Sequence, residues 1–326
     1  MARDENRSDT MKLTLGDYQK LFDCENPNES AGEYLRRKAF YRTRSVKAGD
    51  LLYLDIYPVW DTEEKDKAVA VIREKKKDKA AIAKVNERNA RRKAEQILNL
   101  NFGPGDCYAT LTYRKGEEPE NEKRAMADMS AYIRRLKRIR EKRGLAELKY
   151  FYTEEITNSK EYGTRYHFHM VTGGDLDRET IEACWEKGIV NSRRVQKTAG
   201  GMSGIANYMT KQKETQRKGA RRWNCSHNLK RPQPTTNDHK ISRRKAEAIA
   251  IDCAQFGKSI FEALYKGYHL LDDVQVKYSK YCTGAYISVR MEKNDEHGRK
   301  TGTDGEHGAE KRDSMVHHAG ERISGD

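Results

Sequence analysis

The stretch Tyr166-His167-Phe168-His169-Met170-Val171 reads as a β-strand, and its alternation decides what must surround it. Side chains on a strand point to opposite faces in turn, so His167 and His169 share one face while Tyr166, Phe168 and Met170 share the other. Two neighbouring imidazoles over an apolar underlayer suit a divalent metal with open positions. On its own, a pair of strand histidines is more often an ordinary polar face. Its company gives it weight. Glu154 and Glu155 lie upstream in a second strand-like run, and the stretch from Ser203 to Lys211 lies downstream and carries Tyr208. These supply a candidate third ligand and a candidate nucleophile.

Working outward, Leu148 to Ile156 is rich in aromatic and β-branched residues and reads as an antiparallel partner strand, joined through the turn-prone Thr157 to Gly163. Cross-strand neighbours are close enough for an acid on one strand to join two histidines on the next. Cys107 to Tyr113 alternates as a further strand after Asn101-Phe102-Gly103-Pro104-Gly105-Asp106 breaks a helix. Met126, Met129, Ile133, Leu136 and Ile139 recur every three or four residues, which predicts an amphipathic helix that covers the apolar face of the sheet and stops at Gly144. Thr172-Gly173-Gly174 turns the chain into a helix with Asp177 as N-cap and Leu176 stapled to Ile181, closed by Gly188. Ile189 to Val195 reads as a short strand. After Ala199-Gly200-Gly201, Ser203 is the expected N-cap of a helix with Tyr208 and Lys211 on one face and Ile205 and Met209 on the other.

The flanks read differently. Residues 1 to about 50 are polar, and Arg36-Arg37-Lys38, Arg42 and Arg44 predict a basic peripheral arm. Leu51 to Trp60 alternates as a strand or extended edge, with Pro58 arguing against a central position. Glu63 to Leu100 is helix-forming, with an apolar stripe that ends in Ala94, Ile97 and Leu98 and a basic face that includes Lys75, Lys76, Lys77, Arg88, Arg91, Arg92 and Lys93. Lys213 to Arg231 joins cations to Trp223, a mix suited to single-stranded nucleic acid. The candidate contacts are Lys213, Arg217, Lys218, Arg221, Arg222 and Trp223, with Arg165 beside the histidines. Ile241 to Lys266 predicts one more helix and Gly284 to Met291 a closing strand. Beyond Glu292 the chain has no aromatic residue, and a disordered tail is expected. The expected organisation is α+β, with an antiparallel sheet of about five strands flanked by helices in residues 101–291. A basic, largely helical extension, 1–100, precedes it and a polar tail, 292–326, follows.

Composition narrows the partners. The 326 residues include 64 Lys and Arg against 50 Asp and Glu, for a formal net charge of +14 and a pI of about 9.3. Such an excess favours a polyanionic partner, most often nucleic acid. The six cysteines are scattered with no Cys-x-x-Cys, which argues against a zinc knuckle or disulfide framework and for reduced thiols in a cytoplasmic protein. No apolar stretch approaches the roughly 18 residues of a membrane span, and the polar amino-terminal stretch does not read as a signal peptide. No Gly-x-x-x-x-Gly-Lys-Ser/Thr loop is present, so unwinding of a duplex falls to a separate helicase.

His167-Phe168-His169 is preceded by the threonine-rich strand Ala109-Thr110-Leu111-Thr112-Tyr113 and followed by Tyr208 and Lys211 in a Tyr-x-x-Lys pattern. Together these resemble the HUH endonucleases, and among them the single-tyrosine rolling-circle replication initiators of plasmids and small single-stranded DNA phages. The resemblance covers about Asn101 to Met291 and implies an antiparallel sheet flanked by helices. It implies that His167 and His169 bind a divalent metal, Mg²⁺ or Mn²⁺, with an acidic third ligand. Strand alternation sends Glu154 and Glu155 to opposite faces. Glu155 shares its face with Lys149, Phe151 and Thr153, and Glu154 shares its own with the more apolar Leu148, Tyr150 and Tyr152. Glu155 is therefore the preferred ligand and Glu154 the alternative. The resemblance further implies that Tyr208 attacks a phosphate of single-stranded origin DNA, becomes joined to the 5′ phosphate and releases a 3′ hydroxyl for a host polymerase. Lys211 would favour the phenolate or neutralise phosphate charge, and the setting would be the cytoplasm of a bacterial host. Relaxases and single-tyrosine transposases share this scaffold, and a non-catalytic nucleic-acid-binding module would use the same basic surfaces without a metal or Tyr208.

Overall fold

The computed structural model describes residues 13–23, 40–60, 62–75, 79–159, 163–211 and 222–294. Arg36-Arg37-Lys38, Lys76, Lys77, Lys213, Arg217, Lys218, Arg221 and the expected tail from residue 295 lie outside them. In chain order the described elements are α1 (Leu15–Leu21), β1 (Phe40–Ala48), β2 (Leu51–Val59), α2 (Thr62–Lys75), α3 (Lys79–Asn101), β3 (Cys107–Tyr113), α4 (Glu122–Lys142), β4 (Tyr150–Ser159) and β5 (Gly163–Thr172). There follow α5 (Arg178–Ala183), β6 (Gly188–Arg194), α6 (Ser203–Thr210), β7 (Asn224–Cys225), β8 (Pro234–Asn237), α7 (Arg243–Ile251), α8 (Cys253–Leu264), β9 (Tyr268–Leu270), β10 (Gln275–Tyr278) and β11 (Ala285–Lys293).

The alternating strands around the histidines assemble as the pattern requires, into a five-stranded sheet in the order β6-β3-β5-β4-β7, every pair antiparallel. One face is apolar. Cys107, Ala109 and Leu111 of β3 and Phe168 and Met170 of β5 bury against Met129, Tyr132 and Leu136 of α4 and Ile181 of α5. Asp177 caps α5 by accepting from the Thr180 amide at 2.6 Å, and Gly144, at φ +63, follows α4 as expected of a helix stop. Gly188 does not close α5, which ends at Ala183; it opens β6. A Cβ there would sit 2.0 Å from the Thr112 carbonyl oxygen, so close pairing with β3 is what requires glycine. The helix expected over 241–266 is likewise two helices. Asp252 leaves helical geometry at φ −145, ψ 88, and its carboxylate caps α8 by accepting from the Gln255 amide at 2.9 Å.

Residues 40–59 are not an arm. β1 and β2 form a hairpin inside a second, six-stranded sheet in the order β10-β11-β2-β1-β8, with β9 also on β11. Pro58 nevertheless lies in a central strand. The β2 ladder to β11 spans Leu51 to Ile56, so the missing N–H of Pro58 falls past its end, where Gly284 at φ +97 turns the chain across the proline ring. One face of this sheet packs Leu52, Leu54, Ile56, Ile287 and Val289 against Ile249 of α7 and Phe261 of α8. The other sets Tyr57 and Tyr286 against Tyr18 and Phe22 of α1 and Ile72 of α2. Because β11 completes a sheet begun by β2, the expected division at residue 100 is not a boundary: Met1–Lys293 is one compact unit, and the chain from Asn294 is a second.

Helix α3 serves both sheets. Ala94, Ile97 and Leu98 pack on the histidine-bearing sheet. Two residues earlier Arg92 donates to the fully buried Asp55 of β2 at 2.6 Å, with Arg44 at 3.5 Å from the other carboxylate oxygen. Among the described residues no helix is long and apolar enough to cross a membrane.

Candidate active site

Strand register lays three rungs across the polar face of the first sheet. Glu155, His167, Thr112 and Ile189 form the first, and Thr153, His169, Thr110 and Asn191 the second. Phe151, Val171, Tyr108 and Arg193 form the third. Helices α3 and α6 cover the third rung, where Tyr108, Phe151 and Val171 join Leu98, Ala206 and Met209 in a core cluster. The first rung stays open.

His169 is buried and every polar atom of its ring is engaged. Its Nδ1 meets the Tyr108 hydroxyl at 3.0 Å and the Thr110 hydroxyl at 3.2 Å, and its Nε2 meets Glu155 Oε2 at 2.7 Å. The Nδ1 of His167 meets the Thr112 hydroxyl at 3.1 Å. Burial pushes the His169 imidazole down to about 4 and lowers that of His167, with His169 and Arg165 adding to the effect. Both rings are therefore neutral at pH 7, the form in which imidazole ligates a metal. The structure thus puts Glu155 on the histidine face and Glu154 on the other. Opposite Phe168, Glu154 has one carboxylate oxygen buried with no partner among the described residues, and burial, with Glu122 adding, pushes it up to about 7.

Among the described residues no group of three His, Cys, Asp or Glu side chains is arranged to hold a metal ion. Glu155 and His169 are instead hydrogen-bonded to each other. The donor chemistry of Glu155, His167 and His169 still fits a divalent ion. Hydroxyls accept as well as donate, so the Tyr108, Thr110 and Thr112 contacts can hold Nδ1–H on each ring and leave Nε2 as the ligating atom. Ligation then requires the contact between Glu155 and His169 to open.

Tyr208 reaches this face from α6. Gly200 and Gly201, at φ +73 and +56, turn the chain into the helix, and the Met202 amide donates to Asn99 Oδ1 at 2.8 Å. Ser203 is the first helical residue and not the N-cap, which is Met202. The Ser203 hydroxyl is drawn away to the Glu95 carboxylate at 2.5 Å and the Gly200 carbonyl at 2.6 Å. Met209 and Ala206 face inward, which leaves Tyr208 outward, 56% exposed, its ring edge-on to His169 with centroids 5.0 Å apart. Lys211 is the C-cap of α6, exposed, its amide 3.4 Å from the Tyr208 carbonyl.

Two recesses flank the histidines. One of about 540 Å³ lies at His167 and is lined by Lys115, Glu118 and Arg165 among others. The other, about 210 Å³, lies between Tyr108, Thr110, Asn191, Arg193 and Tyr208. Arg222 is half-buried, and Trp223 stacks on Phe151 with centroids 5.1 Å apart, so one face of the indole is taken up by the core. The sequence pattern did not single out Tyr108, Asn191 or Arg193. Alternation puts Asn191 and Arg193 on one face, but only the register of β6 on β3 brings that face to Tyr208. No curated protein and no solved structure matches the chain. Residues 106–213, from the approach to β3 through α6 and so including His167, His169 and Tyr208, match the profile of the replication-associated protein family typified by ORF2.

Proposed function

We propose that the chain is a rolling-circle replication initiator that nicks and rejoins single-stranded DNA through Tyr208. The observation that carries this reading is the exposed phenol edge-on to His169, on the face that also bears His167 and Glu155. The replication-associated match over 106–213 supports it, as does the net charge of +14.

In the proposed reaction Tyr208 Oη attacks the scissile phosphorus, the new O–P bond forms, the P–O3′ bond breaks, and the departing 3′ oxygen takes up a proton in place of the one the phenol gave up. The DNA is left with a 5′ phosphotyrosine and a free 3′ hydroxyl. Attack by a later 3′ hydroxyl on the phosphotyrosine reverses the step and rejoins the strand without ATP. Glu155, His167 and His169 would hold a Mg²⁺ or Mn²⁺ ion, whose chemistry is to polarise a non-bridging phosphate oxygen and orient it for in-line attack. The chain's own residues hold the geometry. The Tyr108, Thr110 and Thr112 hydroxyls fix the two rings, and Met209 and Ala206 seat α6 so that Tyr208 faces out. Lys211, just past the tyrosine, adds positive charge near the phosphate. A host polymerase would extend the 3′ hydroxyl and a separate helicase would open the duplex.

The test is incubation with labelled single-stranded DNA of the replicon and Mn²⁺, followed by a denaturing gel and mass spectrometry of the adduct. The expected product is a covalent complex with the nucleotide on the peptide that contains Tyr208. A linkage mapped to another tyrosine would overturn the nucleophile assignment, and binding without any adduct would favour a non-catalytic nucleic-acid-binding module.

A further inference from the structure

The recess beside Tyr208 holds a cation that belongs to none of the sequence motifs. Arg193 extends from β6, an edge strand, and its guanidinium lies 5.1 Å over the Tyr108 ring. That contact steadies the side chain without occupying its donors. Neighbouring arginines are committed elsewhere. Arg194 donates to the carbonyls of Gly105, Gly174 and Leu176, and Arg178 donates to the Ser192 hydroxyl. Arg193 makes no hydrogen bond or ion pair among the described residues, and no carboxylate lines the recess it shares with Tyr208. Asn191, two residues back on the same face, adds an amide. A planar guanidinium with a free fork, an amide and a phenol around a small acid-free recess form a site for a phosphodiester.

We propose that Arg193, with Asn191 beside it, clamps the phosphodiester that Tyr208 attacks, pairing with a non-bridging oxygen and holding it more tightly as charge builds in the transition state. This rests on the reading of Tyr208 as nucleophile. Arg193 transfers no proton; the bonds made and broken are those of the tyrosine attack. Lys211, which the sequence singles out for this electrostatic role, does not line the recess.

Two measurements test it, with the melting temperature of each variant as the check on folding. In the Tyr208→Phe background, affinity for a short oligothymidylate is followed against salt by fluorescence anisotropy. Arg193→Ala is expected to flatten the log-log slope by about 0.7, one single-strand phosphate contact. Arg193→Lys should keep the slope, as should Arg134→Ala on the exposed side of α4, behind the sheet. In the chain with Tyr208 intact, adduct formation with a saturating random-sequence pool of single strands and Mn²⁺ should slow at least about tenfold in Arg193→Ala, the scale of one lost transition-state donor, and recover in part in Arg193→Lys. An unchanged slope at unchanged melting temperature overturns the clamp. So does a reduced slope with an unchanged rate at saturation, which would put Arg193 on a phosphate other than the reacting one. If Arg193-intact protein forms no adduct at all, the nucleophile reading fails and the slope decides Arg193 alone: a drop supports a phosphate site there, and no drop overturns it.

Discussion

Tyr208 is more than half exposed on a face whose other aromatic side chains, Tyr108 and Phe151, are buried. Its hydroxyl makes no hydrogen bond among the described residues, so Tyr208→Phe should leave thermal melting and DNA affinity unchanged while abolishing the covalent adduct, which a denaturing gel with labelled DNA measures. The two neighbouring glutamates should behave oppositely. Glu155→Gln keeps a hydrogen-bond partner for His169 but gives up the carboxylate charge, and Mn²⁺ affinity measured by titration calorimetry should fall at least about tenfold. Glu154→Gln replaces a buried acid that has one unpartnered oxygen, and should leave Mn²⁺ affinity unchanged without lowering the melting temperature. Equal losses from both variants would count against Glu155 as a ligand. The choice between the two acids was legible in the sequence because it needs only the parity of a strand. Arg193 was not, because its value depends on which strand β6 pairs with and in what register.

Helix α6 shows how local signals compete. Asp177 was readable as a cap because nothing nearby competes for its carboxylate. Ser203 reads equally well from sequence, but Glu95, from more than a hundred positions earlier, takes its hydroxyl. The start of α6 is held instead by Asn99, which accepts from the Met202 amide, and by Glu292, which accepts from the Gly200 amide at 3.1 Å. Asn99→Ala should therefore cost about 1 to 2 kcal/mol in chemical denaturation by stranding a part-buried amide, and should lower adduct yield by loosening the seat of Tyr208. Gly201→Ala should do the same by another route, since a Cβ at φ +56 would stand 2.4 Å from Asn99 Oδ1. A Gly201→Ala chain as stable and as active as the parent would show that the turn tolerates a side chain and does not fix the helix. The second sheet was the element least visible from sequence. Its strands alternate well, but the pairing that unites β2 with β11 joins segments from opposite ends of the described chain, and no local pattern encodes that.

Across the whole molecule, a few buried charges tie the two sheets together. Asp55 is fully buried between Arg92 of α3, Arg44 of β1 and the Tyr286 hydroxyl of β11. Asp55→Asn leaves the arginines without a counter-charge and should cost about 3 kcal/mol, read from the shift in urea midpoint. Arg290 of β11 donates to Glu95 at 2.6 Å, and Glu95 in turn holds Ser203, so the second sheet reaches the helix that carries Tyr208 through two contacts. Tyr286 and Asp55 meet across 231 positions of sequence. A chain ending at Gly284 should therefore lose its cooperative melt, since β2 would present an open edge and the core against α7 and α8 would lack Ile287 and Val289. The same strand gives synthesis an order. A nascent chain displays both histidines and the tyrosine long before residues 285–293 leave the ribosome, but Arg290 and Glu292 are not yet there to brace α6. The phenol takes its place beside the histidines only once translation has passed β11, so a stalled or truncated product carries the reactive groups without the frame that aims them at DNA.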